Sequence, residues 1–148
     1  MMKQARIFTI GFTKKSAEQF FTRLSNAGVK RVIDVRLNNV SQLAGFAKRD
    51  DLAYFLKAIC DCDYRHEPLL APTKEILDGY KKKQMDWEEY ETRFVKLLEE
   101  RHAHSLVAGE ELKAACLLCS EPTPEKCHRR LVGEFFSRNF DDLEIYHL

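Results

Sequence analysis

The sequence has no long apolar run and no excess of charge of one sign. No segment of the 148 residues approaches the length of a membrane-spanning helix. The 24 basic and 23 acidic residues leave a net charge of +1, so nothing attracts the whole chain to polyphosphate or to a lipid surface. A local basic pocket remains compatible with that balance. No secretory leader precedes the five cysteines, an odd number, so we expect reduced thiols, a cytoplasmic location and no membrane partner.

Glycine-rich phosphate motifs are also absent, as are internal repeats, low-complexity stretches and linkers. Hydrophobic residues make up 45% and charged residues 32% of the chain, which is typical of an ordinary globular protein. At this length we expect one domain over residues 1–148.

The order of apolar segments predicts an α/β fold. Arg6–Gly11 is predicted as a buried strand, Ser16 and Gln19 have capping-box spacing, Gly28 ends the helix, and Arg31–Arg36 is a second strand. Further strands are predicted at Asp63–His66, Lys113–Cys119 and Leu143–Leu148; helices are predicted from Asp50 or Asp51 to Cys60, over Thr73–Gln84, after Asp86, and from Thr123-Pro124-Glu125. The pattern favours a mainly parallel, Rossmann-like sheet of about five strands with helices on both faces.

Polar groups follow three of these strands and are expected to meet at one edge, because ligands bind outside the carboxyl ends of parallel strands. They are Gly11 and Thr13 after the first strand, Asp34 and Arg36 at the second, and Cys119, Glu121, Cys127, His128 and Arg129 around the fourth. Arg36, Arg129 and the loop at Thr13 are expected to hold an anion. Asp34 is interpreted as a ligand-binding group, as a cap of the loop at residues 37–45, or as the partner of an arginine in an ion pair. Arg36 is expected to pair with Glu121 rather than with Asp34.

The two thiols near this edge are the candidate nucleophiles, with His128 or Glu121 as acid or base. Cys127 is predicted in the first turn of a helix, where free amides and Arg129 lower the pKa of a thiol. The alternative is that Cys127 shares a helical face with Leu131 and Phe135 and is an inert core residue.

The residues Cys116, Cys119, Cys127 and His128 resemble the four ligands of a structural zinc site. Cys116 and Cys119, however, are three positions apart on a strand and so point to opposite faces. We therefore expect no structural zinc, and the sequence indicates no particular cofactor. A cysteine phosphatase or sulfurtransferase is disfavoured because no cysteine is followed by a loop of amides with arginine at the sixth position.

Three motifs resemble the domain of unknown function family 488. They are Thr9-Ile10-Gly11, Asp34-Val35-Arg36, and Cys119-Ser120-Glu121 with Cys127-His128-Arg129, and the resemblance covers nearly the whole chain. The family pattern places serine where Thr13 stands here, which keeps the hydroxyl. The resemblance implies an α/β fold and no particular reaction.

From the residues, we hypothesise an enzyme acting on a phosphate-bearing ligand, such as a nucleotide or nucleic-acid component. Two alternatives remain open: a non-catalytic nucleotide- or nucleic-acid-binding module that uses the same basic pocket, and a thiol redox sensor. Replacement of the thiols separates catalysis from binding.

Overall fold

The computed structural model describes residues 5–39, 45–121 and 124–148. Its five strands are β1 (Ala5–Gly11), β2 (Arg31–Asp34), β3 (Asp63–His66), β4 (Ala115–Cys119) and β5 (Leu143–His147). They form one sheet in the order β3-β2-β4-β1-β5, and every neighbouring pair is parallel. The predicted α/β fold with a five-stranded parallel sheet is confirmed.

Helices cover both faces of this sheet. They are α1 (Ala17–Ala27), α2 (Arg49–Cys60), α3 (Lys74–Lys81), α4 (Trp87–Glu100), α5 (Gly109–Leu112) and α6 (His128–Asn139). One core lies between the sheet and α1 and α2, and the other lies between the sheet and α4 and α6. We call these the α1/α2 face and the α4/α6 face. Within the described ranges, no helix is long and apolar enough to cross a membrane.

Local sequence signals explain most helix ends. The Ser16 side chain accepts from the Gln19 amide, and the Gln19 side chain completes the predicted capping box at the start of α1. Gly28 ends that helix with a φ of 73°, a left-handed conformation that glycine adopts without strain. Asp86 caps α4 by accepting from the amide of Glu89.

Two predicted helix starts are wrong. Lys48 is the N-cap of α2 and makes no side-chain capping bond, so neither Asp50 nor Asp51 caps it; both lie in its first turn. Helix α6 begins at His128 rather than near Pro124, because residues 124–126 form a bend and turn before the chain becomes helical. Thr123, the predicted cap, lies outside the described residues.

The connections between strands place a crevice between β2 and β4. From β2 the chain passes through α2 to β3, on the α1/α2 face, whereas from β4 it passes through α6 to β5, on the α4/α6 face. The two neighbouring strands are therefore continued in opposite directions on opposite sides of the sheet. Ligands of open α/β sheets bind at such a switch point, outside the carboxyl ends of the strands.

Alternation along β4 divides its cysteines between the two faces. Cys116 and Leu118 belong to the core of the α1/α2 face, while Leu117 and Cys119 belong to the core of the α4/α6 face. Cys116 and Cys119 point to opposite faces, as their spacing predicts.

Candidate functional site

A cavity of about 390 Å³ opens at the carboxyl ends of β2 and β4. The segments that follow these two strands contribute Arg36 and residues 119–121 to its wall, and the start of α6 contributes Cys127 and His128. Lys81, Lys126, Tyr80, Trp87 and Tyr90 also line it. The cavity therefore combines thiols, an imidazole, cations and aromatic rings at the switch point of the sheet.

Two buried thiols lie in contact at the inner wall of this cavity. Cys119 is the last residue of β4 and Cys127 is the N-cap of α6. Their Sγ atoms are 2.8 Å apart, with the Cys127 thiol donating to the Cys119 sulfur. Both cysteines are free, and their exposed fractions are 4% and 2%. The bend of residues 124–126 returns the chain to the strand end and so brings together two thiols eight positions apart.

His128 is the third member of this cluster. Its Nδ1 atom is 3.6 Å from the Sγ of Cys119, and its Nε2 atom is 2.7 Å from the carbonyl oxygen of Val35. A carbonyl oxygen only accepts hydrogen bonds, so Nε2 carries a proton and Nδ1 is the atom that faces the sulfur. One ligand atom from each of Cys119, Cys127 and His128 lies within 4.8 Å of the others, which is the spacing of a group able to hold a metal ion.

The surroundings of Cys119 favour its thiolate. Burial opposes ionisation, but the hydrogen bond from Cys127, the charge and hydrogen bond of His128, and the backbone amide of Glu121 outweigh it and hold the pKa of Cys119 well below its ordinary value. For His128, burial again opposes the charged form, whereas Cys119 and the Val35 carbonyl raise the pKa of the imidazole. Both shifts act toward a Cys119 thiolate beside a His128 imidazolium.

The predicted direction of the pKa shift at Cys127 is wrong. Its hydrogen bond to Cys119, its burial and the charge of Cys119 raise the pKa of the Cys127 thiol, although Arg129 acts to lower it. Cys127 is the N-cap and not a residue of the first turn, and its side chain makes no bond to the free amides of the helix. A thiol that must donate to a neighbouring sulfur retains its proton, so the acidic thiol of the pair is Cys119.

Arg129 lies beneath the thiols, with an exposed fraction of 1%. Its Nε donates to the Thr9 hydroxyl at 3.1 Å, its Nη1 donates to the carbonyl oxygen of Glu121, and the same Nη1 is 3.9 Å from the Cys127 sulfur. A Cβ on Gly11 would overlap the carbonyl oxygen of Glu121 and would lie 2.5 Å from Nη1 of Arg129. Gly11 is therefore required by the close approach of the loop after β4.

Arg36 pairs with Asp34, and the expected pairing with Glu121 is not observed. Nε and Nη2 of Arg36 donate to the two carboxylate oxygens of Asp34 at 2.8 and 2.7 Å. Residues two apart on a strand share a face, so the long arginine side chain folds back onto the carboxylate. The Tyr64 hydroxyl, at 2.6 Å, and the Asn39 side chain, at 3.5 Å, complete the shell around Asp34. Asp34 is thus the centre of a buried polar network.

The predicted site residues separate into two groups. Arg36, Cys119, Glu121, Cys127 and His128 line the cavity, whereas Gly11, Thr13, Asp34 and Arg129 do not. The Thr13 amide donates to the carbonyl oxygen of Ser120 at 3.1 Å, so it is already satisfied. Of the three groups of the predicted anion site, Arg36 lines the cavity, whereas the Thr13 loop and Arg129 bond to the loop after β4. Binding of an anion by these groups stays a prediction.

The cavity also includes residues that the sequence patterns did not mark as functional. Tyr90 has an exposed fraction of 2% and belongs to the core, as its helical stripe predicts, yet it also reaches the cavity wall. Trp87 stacks on Tyr90 with ring centroids 5.0 Å apart. Lys81 ends α3 and Lys126 precedes the thiol, and no sequence signal distinguishes either lysine from those on a solvated surface.

Comparison with known proteins identifies one family. The family model described as the domain of unknown function DUF488 matches residues 16–136, a range that includes the Asp34 and Cys119–Arg129 motifs. Gly11 lies before the matched range. No curated protein and no solved structure matches the chain.

Proposed function

The chain belongs to the DUF488 family, and on that premise we propose that it is a thiol-dependent enzyme whose nucleophile is Cys119. The observation that carries the proposal is the contact of the Cys119 sulfur with both the Cys127 thiol and the His128 imidazole, in the wall of a cavity. A cysteine becomes a nucleophile where donors and a cation stabilise its thiolate. Cys119 has both, and the cavity gives a substrate access to it.

The proposed substrate bears a phosphate, as in a nucleotide or a component of nucleic acid. Lys81 and Lys126 line the cavity and supply positive charge on its walls. Tyr80 and Trp87 add ring surface to the same wall, which suits a base or another flat group. The cavity volume, about 390 Å³, is in the range of small-molecule sites.

The proposed roles follow from the hydrogen bonds. The Cys119 thiolate forms a bond to the electrophilic atom of the substrate, and the leaving group departs with its electron pair and takes the proton from Nδ1 of His128. Water then cleaves the thio-adduct, and its proton returns to Nδ1, which restores the thiolate and the imidazolium. The Val35 carbonyl holds the imidazole in orientation throughout, and Cys127 stabilises the anionic sulfur before attack.

Chemical modification combined with ligand protection tests this function. Metal-free protein is treated with limiting iodoacetamide at neutral pH, with and without each member of a nucleotide panel, and the modified cysteine is mapped by mass spectrometry. We expect Cys119 to be alkylated first and a phosphate-bearing ligand to slow that reaction. Cys119→Ser should retain ligand binding and lose turnover, whereas Cys116→Ala, on the same strand and the other face, should retain both.

Two outcomes contradict the proposal. A Cys119 that stays unmodified in the folded protein is not a nucleophile. Turnover that survives in Cys119→Ser assigns the chemistry elsewhere, and ligand binding with no turnover in the native protein favours the non-catalytic binding module.

A second candidate function, a thiol redox sensor, is favoured by the 2.8 Å contact between the two sulfurs. The Cys119 thiolate would attack a hydroperoxide, which is reduced to an alcohol or water while the sulfur becomes a sulfenic acid. The Cys127 thiol would then displace water from that sulfenic acid and form a disulfide. Peroxide treatment should remove two hydrogens from the intact mass, and Cys127→Ser should instead accumulate the sulfenic acid. Slow, unselective oxidation of all five cysteines would exclude a sensor.

A further inference from the structure

We infer that Cys119, Cys127 and His128 form a binding site for a thiophilic divalent metal ion, of which zinc is the representative. These are the three side chains in the described part of the chain whose ligand atoms converge within 4.8 Å. Two thiolates and one imidazole form a donor set found in zinc enzymes that leave a fourth position open. The inference reverses the expectation of no zinc, which considered Cys116 as the second sulfur.

Bond lengths show how closely the three ligand atoms match the geometry of a tetrahedral zinc site. A tetrahedral zinc ion about 2.3 Å from sulfur and about 2.0 Å from nitrogen sets its sulfur and nitrogen ligands about 3.5 Å apart. The Cys119 sulfur and Nδ1 of His128 are 3.6 Å apart, so one edge of the tetrahedron is already formed. The same geometry sets two sulfurs about 3.8 Å apart. The Cys127 sulfur, now 2.8 Å from Cys119, moves outward by about 1 Å when the metal binds.

The surroundings support a metal at this position. A ligating histidine donates its other ring N–H to a carbonyl or carboxylate, which fixes the tautomer, and the Val35 carbonyl accepts from Nε2 of His128 at 2.7 Å. The backbone of Glu121 also helps to stabilise the Cys119 thiolate, which is the form in which a cysteine binds a metal. Arg129 is an unfavourable neighbour of a cation, but two thiolates cancel the charge of a divalent ion, so the complex adds no net charge beside the guanidinium.

The open coordination position faces the cavity, since all three ligands line it. A water molecule, the exposed Glu121 carboxylate or a ligand in the cavity can supply the fourth donor there. A metal bound to Cys119 withdraws electron density from the sulfur and occupies space beside it, so metal binding lowers the nucleophilicity of that thiolate. Bound zinc would therefore protect the Cys119 thiolate from electrophiles, and release of the zinc would make the thiolate reactive again.

Titration of the reduced, chelator-treated protein with Co²⁺ tests the inference directly. We expect a one-to-one complex with a sulfur-to-cobalt charge-transfer band that Zn²⁺ displaces. Cys119→Ser, Cys127→Ala and His128→Gln should each weaken binding by more than about 100-fold, because loss of outer contacts alone costs 10–100-fold. Cys116→Ala removes a thiol from the same strand and should bind cobalt as the native protein does.

His102 and His104, whose rings lie 6.2 Å apart, are a second place where a divalent ion can bind adventitiously. His104→Ala should leave the cobalt spectrum unchanged. Binding that is lost in His104→Ala, or retained in Cys119→Ser and Cys127→Ala, overturns the inference. So does the absence of a charge-transfer band in native protein whose thiols are shown to be reduced.

The proposed nucleophile and the proposed metal site are tested by different measurements, so either one can be wrong without the other. Alkylation of Cys119 is measured without metal and tests the nucleophile, whereas the cobalt spectrum tests the metal site. Where both hold, saturating Zn²⁺ should protect Cys119 and Cys127 from alkylation, and a chelator should restore their reactivity.

Discussion

The two faces of the sheet each contain buried cysteines and a buried arginine, but the two arginines have different partners. On the α1/α2 face, Arg36 forms a two-point ion pair with Asp34. On the α4/α6 face, Arg129 has no carboxylate partner among the described residues; it contacts a hydroxyl, a carbonyl and a sulfur. A buried cation without a carboxylate favours negative charge on whatever lies near it. Arg129 acts to lower the pKa of the thiol that it contacts, Cys127, but the hydrogen bond from that thiol to Cys119 outweighs this effect.

The cysteines show the same difference. On the α1/α2 face, burial raises the pKa of Cys62 to about 12 and raises that of Cys116 further. On the α4/α6 face, Cys119 is as deeply buried, yet its pKa is well below the ordinary value because Cys127 and His128 offset the burial. Burial alone thus makes a cysteine inert, and neighbouring donors decide whether it becomes reactive.

The largest expected effect is a difference in alkylation rate between Cys119 and Cys62. Only the thiolate reacts, so the rate at a thiol rises about tenfold per pH unit until its pKa is reached. In metal-free protein, the rate at Cys119 should reach its plateau at a lower pH than an ordinary thiol does, and should fall on further acidification. Cys62 should become reactive only as the pH approaches 12.

At pH 7 this difference corresponds to a ratio of at least about 1000-fold. Quantitative mass spectrometry of both sites in one sample measures it. Equal rates for Cys119 and Cys62 would remove the contrast between the faces.

The next largest effect is expected from breaking the ion pair on the α1/α2 face. Asp34→Ala leaves the Arg36 guanidinium, 3% exposed, without its counter-charge. Loss of one partner of a buried pair costs about 3–5 kcal/mol in free energy of unfolding. Urea unfolding of the variant measures that loss.

Glu110→Ala is the control, since it removes an exposed partner of Lys113, and it should cost less than about 1 kcal/mol. A similar cost for both variants would show that Arg36 finds another partner after Asp34 is removed.

A smaller effect is expected from crowding the loop behind the thiols. Gly11→Ala places a Cβ against the Glu121 carbonyl, so the loop after β4 must shift, at a cost of about 1–3 kcal/mol. The shift should also change the alkylation rate of Cys119, because the Glu121 amide bonds to its sulfur. Gly45→Ala, with no atom of the described residues within 4 Å of the added Cβ, should leave both stability and reactivity unchanged. A Gly11→Ala variant with native stability and reactivity would contradict the close approach.

The smallest effect is expected at Cys116. Its sulfur makes one weak contact, with the Leu117 carbonyl at 3.9 Å. Cys116→Ala should lower the free energy of unfolding by about 1 kcal/mol, because it removes a single packed atom, and should leave Cys119 reactivity as in the native protein. A changed Cys119 reactivity in thermally stable Cys116→Ala would mean that the two faces are coupled through β4.

Sequence patterns were sufficient for the strands and for the meeting of the ends of β2 and β4 at the cavity, because these depend on local hydrophobic periodicity and on a general rule for parallel sheets. Asp63–His66 is a strand with the bounds predicted. The pairing of side chains within the site is harder to predict from the sequence. That Arg36 turns back to Asp34, and that Cys119 rather than Cys127 has the lowered pKa, depend on the path of short loops that no periodicity describes.

The start of α6 illustrates the same limit. Proline at 124 suggested a helix that would place Cys127 inside the first turn, but the turn at residues 124–126 delays the helix to His128. This delay leaves Cys127 in an extended conformation, with a φ of −134°, and directs its thiol to Cys119 and not to the helix amides. A displacement of a few residues thus changes which sulfur is acidic.

The position of β4 in the sheet has a consequence for the order in which the chain can fold during synthesis. The strand pairs with β2 on one side and with β1 on the other, so it joins two halves that have no direct ladder between them. A ribosome delivers β1, β2 and β3 well before it delivers β4, and these strands must wait with open edges. The strands β2 and β3 can pair with each other beforehand, but the two halves of the sheet join only when β4 has emerged. The thiol cluster is complete only when residues 115–128 have emerged.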